Sequence, residues 1–213
     1  MEAAGDAPAA KRVWGIVTSA LWDSTDCTDW SRALASCPEV VAARDVSRLP
    51  DLDAWYRGEL PGLIAARAPA HVTLDELVRV TEWKMKRGVW RARNLALVRG
   101  NDPEDVRRLS AEALALAPEP RKPVALLAQL AGVGPATASA VLAAARPDVY
   151  PFFDELCAAQ VPDLGPVAFT LPYYLRYAER LRERAAALDT ACPGAGWTAH
   201  AVSQALWAAA TGV

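Results

Sequence analysis

The chain has 213 residues, 53% of them hydrophobic, and a formal net charge of −2. That length buries a substantial core as one domain or two small lobes, and the slightly acidic balance excludes a protein that coats nucleic acid through overall positive charge. Sixteen prolines and twelve glycines punctuate the sequence without any long low-complexity tract.

Residues 1–10 are small, acidic and alanine-rich and read as a flexible N-terminal tail. Residues 11–213 read as one all-α domain, with two helical lobes as the alternative arrangement. The start lacks the basic residues and apolar run of a signal peptide and the arginines of a transit peptide, and no window approaches a membrane span. The expectation is a soluble intracellular protein, nuclear or cytoplasmic, without membrane contact. Val13 to Trp22 fits helix and strand equally well. A helix is expected from Asp51 or Leu52 to Ala66, kinked or split at Pro61. Thr73 followed three residues later by Glu76 forms a capping box, and the helix it opens runs to Arg87 and stops at Gly88. Further helices are expected at 91–99, 102–117, 124–131, 135–145, 171–188 and 198–210. The four cysteines, Cys27, Cys37, Cys157 and Cys192, lie far apart without a C-x-x-C pair, so neither a metal site nor a redox motif is indicated.

Leu130-Ala131-Gly132-Val133-Gly134-Pro135-Ala136-Thr137 joins two of these helices and is the most informative run in the chain. Gly132 suits a left-handed cap, where a Cβ is penalised. Val133, the one large side chain of the turn, is expected to plug the core beneath it. Pro135 fits the first turn of a new helix, where its missing N–H is no loss. Bare N–H groups at such a helix start bind anions, so Gly132, Val133, Gly134 and Thr137 are candidate contacts to the phosphates of a bound backbone.

Downstream come Pro147, Val149, Pro151 and then Asp154, eighteen residues after Ala136. The hairpin and this aspartate resemble the helix-hairpin-helix element and catalytic aspartate of the HhH-GPD superfamily of DNA glycosylases. The resemblance covers about residues 70 to 180, with its specific motifs between 124 and 161. It implies a helix-hairpin-helix glycosylase-like helical bundle, a base-excision-repair type of activity, DNA as partner and Asp154 as the catalytic carboxylate. The four-cysteine iron–sulfur loop of some members is missing, so a divergent member without cluster, metal or other cofactor is implied. Members that cleave the DNA backbone carry a lysine where Ala136 stands. Alanine forms no Schiff base, which leaves monofunctional hydrolysis of the N-glycosidic bond.

Asp154 also stands where an N-cap belongs, after a proline-restricted stretch and before a helical pattern. Glu155 offers the same group one residue on. For the base, Trp55, Tyr56, Trp83, Lys84 and Trp90 form a candidate pocket by stacking and cation–π attraction. Two basic stripes are candidate phosphate contacts: seven cations between Arg79 and Arg99, and Arg176, Arg180 and Arg184 on one helical face. The competing expectation is a helix-hairpin-helix domain that has lost catalysis and binds DNA or a protein partner.

Overall fold

The computed structural model describes residues 20–211, and the helices in chain order are α1 (Ala20–Asp23), α2 (Cys27–Ala35), α3 (Cys37–Ala43), α4 (Leu49–Gly58), α5 (Leu60–Ala65), α6 (Leu74–Arg87), α7 (Ala92–Arg99), α8 (Pro103–Ala115), α9 (Lys122–Leu127), α10 (Pro135–Ala145), α11 (Glu155–Ala158), α12 (Leu171–Ala191) and α13 (Ala199–Thr211). The chain is all-α, with no strand among the described residues. The N-terminal tail and most of the Val13–Trp22 segment lie outside them.

Local chemistry sets several boundaries where the sequence places them. Thr73 Oγ1 accepts the Glu76 N–H while the Glu76 carboxylate accepts the Thr73 N–H, so two orphan donors at the start of α6 are satisfied reciprocally. The stretch around Pro61 does split, into α4 and α5 meeting at Glu59. Asp102 caps α8 through the N–H groups of Glu104 and Asp105. The first hairpin helix is shorter than expected. α9 ends at Leu127, and the chain descends to Gly132 through tight turns in which Leu130 N–H donates to Leu127 O and Val133 N–H to Leu130 O.

One continuous apolar core runs from Leu21 to Ala208. α10 sits in it, with Ala136 to Ala144 all buried, because its small side chains let neighbouring backbones close in. Tyr56 on α4 donates through its hydroxyl to Ala140 O at 2.7 Å, which ties α4 to α10. A charged knot is embedded alongside. Asp53 is paired with Arg57 at 2.8 Å and accepts from Arg87 at 3.5 Å and Trp83 Nε1 at 2.9 Å.

Cys27 and Cys192, far apart in sequence at a separation of 165 residues, are joined by a disulfide. It fastens the start of α2 to the residue that caps α12. Among the described residues no helix is long and apolar enough to cross a membrane.

Candidate active site

The hairpin is held from both sides. At Gly132 the backbone takes φ +75°, and a Cβ there would lie 2.6 Å from Asn94 O and 2.9 Å from Leu97 Cβ, so glycine is required for both conformation and close contact with α7. Asn101, just beyond α7, clamps the turn further. Its Oδ1 accepts the Ala131 N–H at 2.8 Å and its Nδ2 donates to Ala131 O at 2.9 Å. Val133 is buried as expected. Gly134 differs from Gly132: nothing lies within 4 Å of where its Cβ would be. Its carbonyl accepts from Thr137 and Ala138 N–H and so begins α10.

Asp154 is fixed by a second set of contacts. The segment before it threads between α10, α12 and α13, and buried side chains satisfy its backbone one group at a time. Tyr174 donates to Pro151 O at 3.3 Å, and Tyr177 to Phe152 O at 3.0 Å. Phe152 N–H donates to His200 Nδ1 at 3.4 Å, and Phe153 N–H to Ser139 Oγ at 3.0 Å. Burial lowers the His200 pKa to about 3, so the ring is neutral and its nitrogen is free to accept. Asp154 Oδ1 then accepts the Leu156 N–H at 2.8 Å and caps α11, a helix of only four residues.

The cap does not close the carboxylate off. A cavity of about 680 Å³ is lined by Asp154 and Glu155, by Gly134, Pro135, Ala136 and Thr137 of the hairpin, and by Phe152, Phe153 and Phe169. Arg44, Lys84, Arg87 and Arg91 bring four cations to its walls. Asp154 is 7% exposed, whereas Glu155 lies out in solvent. Burial pushes the Asp154 pKa up, opposed by the Arg87 guanidinium, the Leu156 and Cys157 N–H groups and Arg44. Burial pulls Lys84 down to about 8, with Arg91 adding to the fall and Asp154 resisting it. Gln160 also lines the cavity. Its Nε2 donates to Leu156 O and Leu206 O, while its buried Oε1 has no partner.

The structure therefore gathers Asp154, Gly134, Thr137 and Lys84 around one space, and leaves other sequence candidates elsewhere. Trp55, Tyr56 and Trp83 are buried core residues and are not among those lining the cavity. Tyr56 and Trp83 stack on each other with ring centroids 3.7 Å apart, and Arg79 covers Trp55 at 3.9 Å. Trp90 is 49% exposed with Lys86 over its ring, outside the cavity lining. The aromatic walls are phenylalanines. Phe152 and Phe153 immediately precede the aspartate in sequence, a signal that proximity alone offered.

The basic stripes disperse as well. Arg99 and Arg48 both pair with Glu82, and Lys86 donates to Ser47 O at 2.7 Å. Arg182 donates to Val149 O at 3.0 Å and Arg184 to Trp22 O at 2.7 Å, which makes them braces between elements. From the first stripe Lys84, Arg87 and Arg91 reach the cavity; from α12 none does.

No protein-family model, curated protein or solved structure matches this chain.

Proposed function

We propose that the chain is a DNA glycosylase-like hydrolase of the base-excision type, cleaving the N-glycosidic bond of a damaged base with Asp154 as the catalytic carboxylate. The observation that carries this reading is a buried carboxylate opening into an aromatic-lined cavity beside the start of the hairpin helix. A base leaving the sugar creates positive charge at the anomeric carbon. An ionised carboxylate in a low-dielectric wall stabilises that charge more than it would in water, and a raised pKa suits it to take a proton from attacking water. The cavity volume fits a flipped nucleotide with the exposed Phe169 as a stacking surface. The N-terminal turn of α10, which lines the cavity, and the cations around it suit the phosphate backbone.

The test is release of alkylated, deaminated or oxidised bases from duplexes, read as strand scission after alkali. The expected pattern is activity in wild type, loss in Asp154→Asn and retention in Glu155→Gln. A second reading, a binding domain without catalysis, draws on the Asp154 cap to α11, which is a complete structural role for that side chain. Salt-dependent duplex binding without base release, or undiminished cleavage by Asp154→Asn, would sink the catalytic role.

A further inference from the structure

The cavity carries more positive charge than its own carboxylates answer. Arg44, Lys84, Arg87 and Arg91 line it against Asp154 and Glu155. Among the described residues Arg44, Lys84 and Arg91 take part in no ion pair. Arg87 is 2% exposed, yet its one carboxylate contact is at 3.5 Å, to an Asp53 already held by Arg57 at 2.8 Å. The Nε atoms of Arg87 and Arg44 are buried without any acceptor. A buried guanidinium with unused N–H groups is costly, and such groups in a cavity wall mark a missing acceptor. The aromatic stacking of Arg87 on Trp207 at 3.8 Å holds the cation in place without neutralising it.

Beside these cations the hairpin leaves donors open. The N–H groups of Gly134 and Ala136 have no partner among the described residues, and nothing fills the space over Gly134. α10 has eleven residues, long enough for its N-terminus to favour an anion.

We propose that this wall is a phosphoryl-binding subsite, in which Arg87, Arg91, Lys84 and Arg44, with the start of α10, hold the phosphate of a nucleotide whose sugar faces Asp154. The site thereby selects a phosphorylated nucleotide over a bare nucleoside. Its phosphate belongs either to a free mononucleotide or to the DNA strand itself. The subsite rests on the nucleotide reading of the cavity but not on bond cleavage. Anion binding also couples to protonation of Lys84. Arg91 repels its proton and Asp154 attracts it, Arg44, Arg87 and Glu155 line the same cavity, and a bound phosphate shifts that balance toward the ammonium.

Isothermal titration of the full chain tests this with 2′-deoxyadenosine 5′-monophosphate, 2′-deoxyadenosine, and a duplex carrying a tetrahydrofuran abasic analogue. Either phosphate-bearing probe should bind at least about tenfold more tightly than the nucleoside, and Arg91→Ala and Lys84→Gln should each weaken it about five- to tenfold, as loss of a charge-assisted hydrogen bond implies. Arg121→Ala, an exposed residue outside the cavity, should not. Affinity should fall as pH rises through about 8 in wild type and not in Lys84→Gln. Binding of the monophosphate identifies a free nucleotide as sufficient, and binding of the duplex alone identifies the strand phosphate. Failure of both probes, equal affinity for nucleoside and nucleotide, or unchanged binding in the cavity variants overturns the subsite. Base release is read separately by product analysis. Phosphate binding without base release would leave the subsite standing and remove the hydrolase.

Discussion

Ser139 Oγ accepts the Phe153 N–H at 3.0 Å while donating to Ala136 O at 3.0 Å, so one hydroxyl in the hairpin helix fixes the residue next to Asp154. Both halves of the candidate site are thus set against each other by a single buried atom. Ser139→Ala leaves the Phe153 N–H without its partner, at a cost of about 1–3 kcal/mol. Denaturant unfolding should show that loss, and base release should fall with it because the carboxylate loses its fixed register.

Asp154 sets up a trade between stability and activity. Its pKa is raised by burial, so in the folded chain the charged form is disfavoured relative to the unfolded one. Asp154→Asn keeps an oxygen for the Leu156 N–H and removes the buried charge. Melting at pH 8 should therefore be equal to or higher than wild type, and the difference should shrink as pH falls through the raised pKa. A clear loss of stability at pH 8 would identify the carboxylate as a structural element instead.

The two hairpin glycines should behave differently. Gly132→Ala forces a Cβ to within 2.6 Å of Asn94 O at a positive φ, which predicts destabilisation of about 2–4 kcal/mol. Gly134→Ala meets no neighbouring atom and should change melting by less than about 1 kcal/mol. Its effect should appear in duplex affinity, because the methyl covers donors that face the cavity.

His200 makes stability depend on pH with a definite sign. Its folded pKa of about 3 lies below the usual 6.5, so the unfolded chain takes up a proton first as pH falls. Its contribution is complete above pH 6.5 and declines toward pH 3 by up to about 1.4 kcal/mol per pH unit. Asp154 acts in the opposite direction. Removing the imidazole in His200→Gln should flatten the acid limb, measured as melting temperature between pH 4 and 7.

Lys84 is the only lysine among the residues lining the cavity, and the hairpin residue Ala136 offers no amine there. Monofunctional hydrolysis predicts no borohydride-trapped adduct with a duplex bearing an abasic site. An adduct that disappears in Lys84→Gln would reassign this amine as a nucleophile.

Much of the helix pattern was legible because its determinants are local. The Thr73–Glu76 box, the stop at Gly88, the Pro61 break and the left-handed Gly132 all follow from residues within a few positions of one another. Asp154 and the hairpin were legible as a pair through spacing and resemblance. The rest depended on contacts that sequence separation hides. Asn101 reads as a loop residue until it meets Ala131, and Ser139 as one small residue in an alanine-rich helix. The tryptophans read either way for a physical reason: large flat rings satisfy an aromatic cage and a packed core equally well. At Trp83, burial against Asp53 and Tyr56 decides for the core. Arg87 likewise reads as one cation in a basic stripe, whereas Trp207 and Trp83 fold it into the cavity wall.

The Cys27–Cys192 bond turns the intervening chain into a covalent ring, and apart from Ala210 every residue lining the Asp154 cavity belongs to that ring. A single proteolytic cut at the exposed Val89–Trp90 joint would leave two fragments that migrate as one species until a reductant separates them. The cavity walls contributed from either side of such a cut would remain tethered, so the ring gives the site a resistance to nicking that its helices alone do not provide.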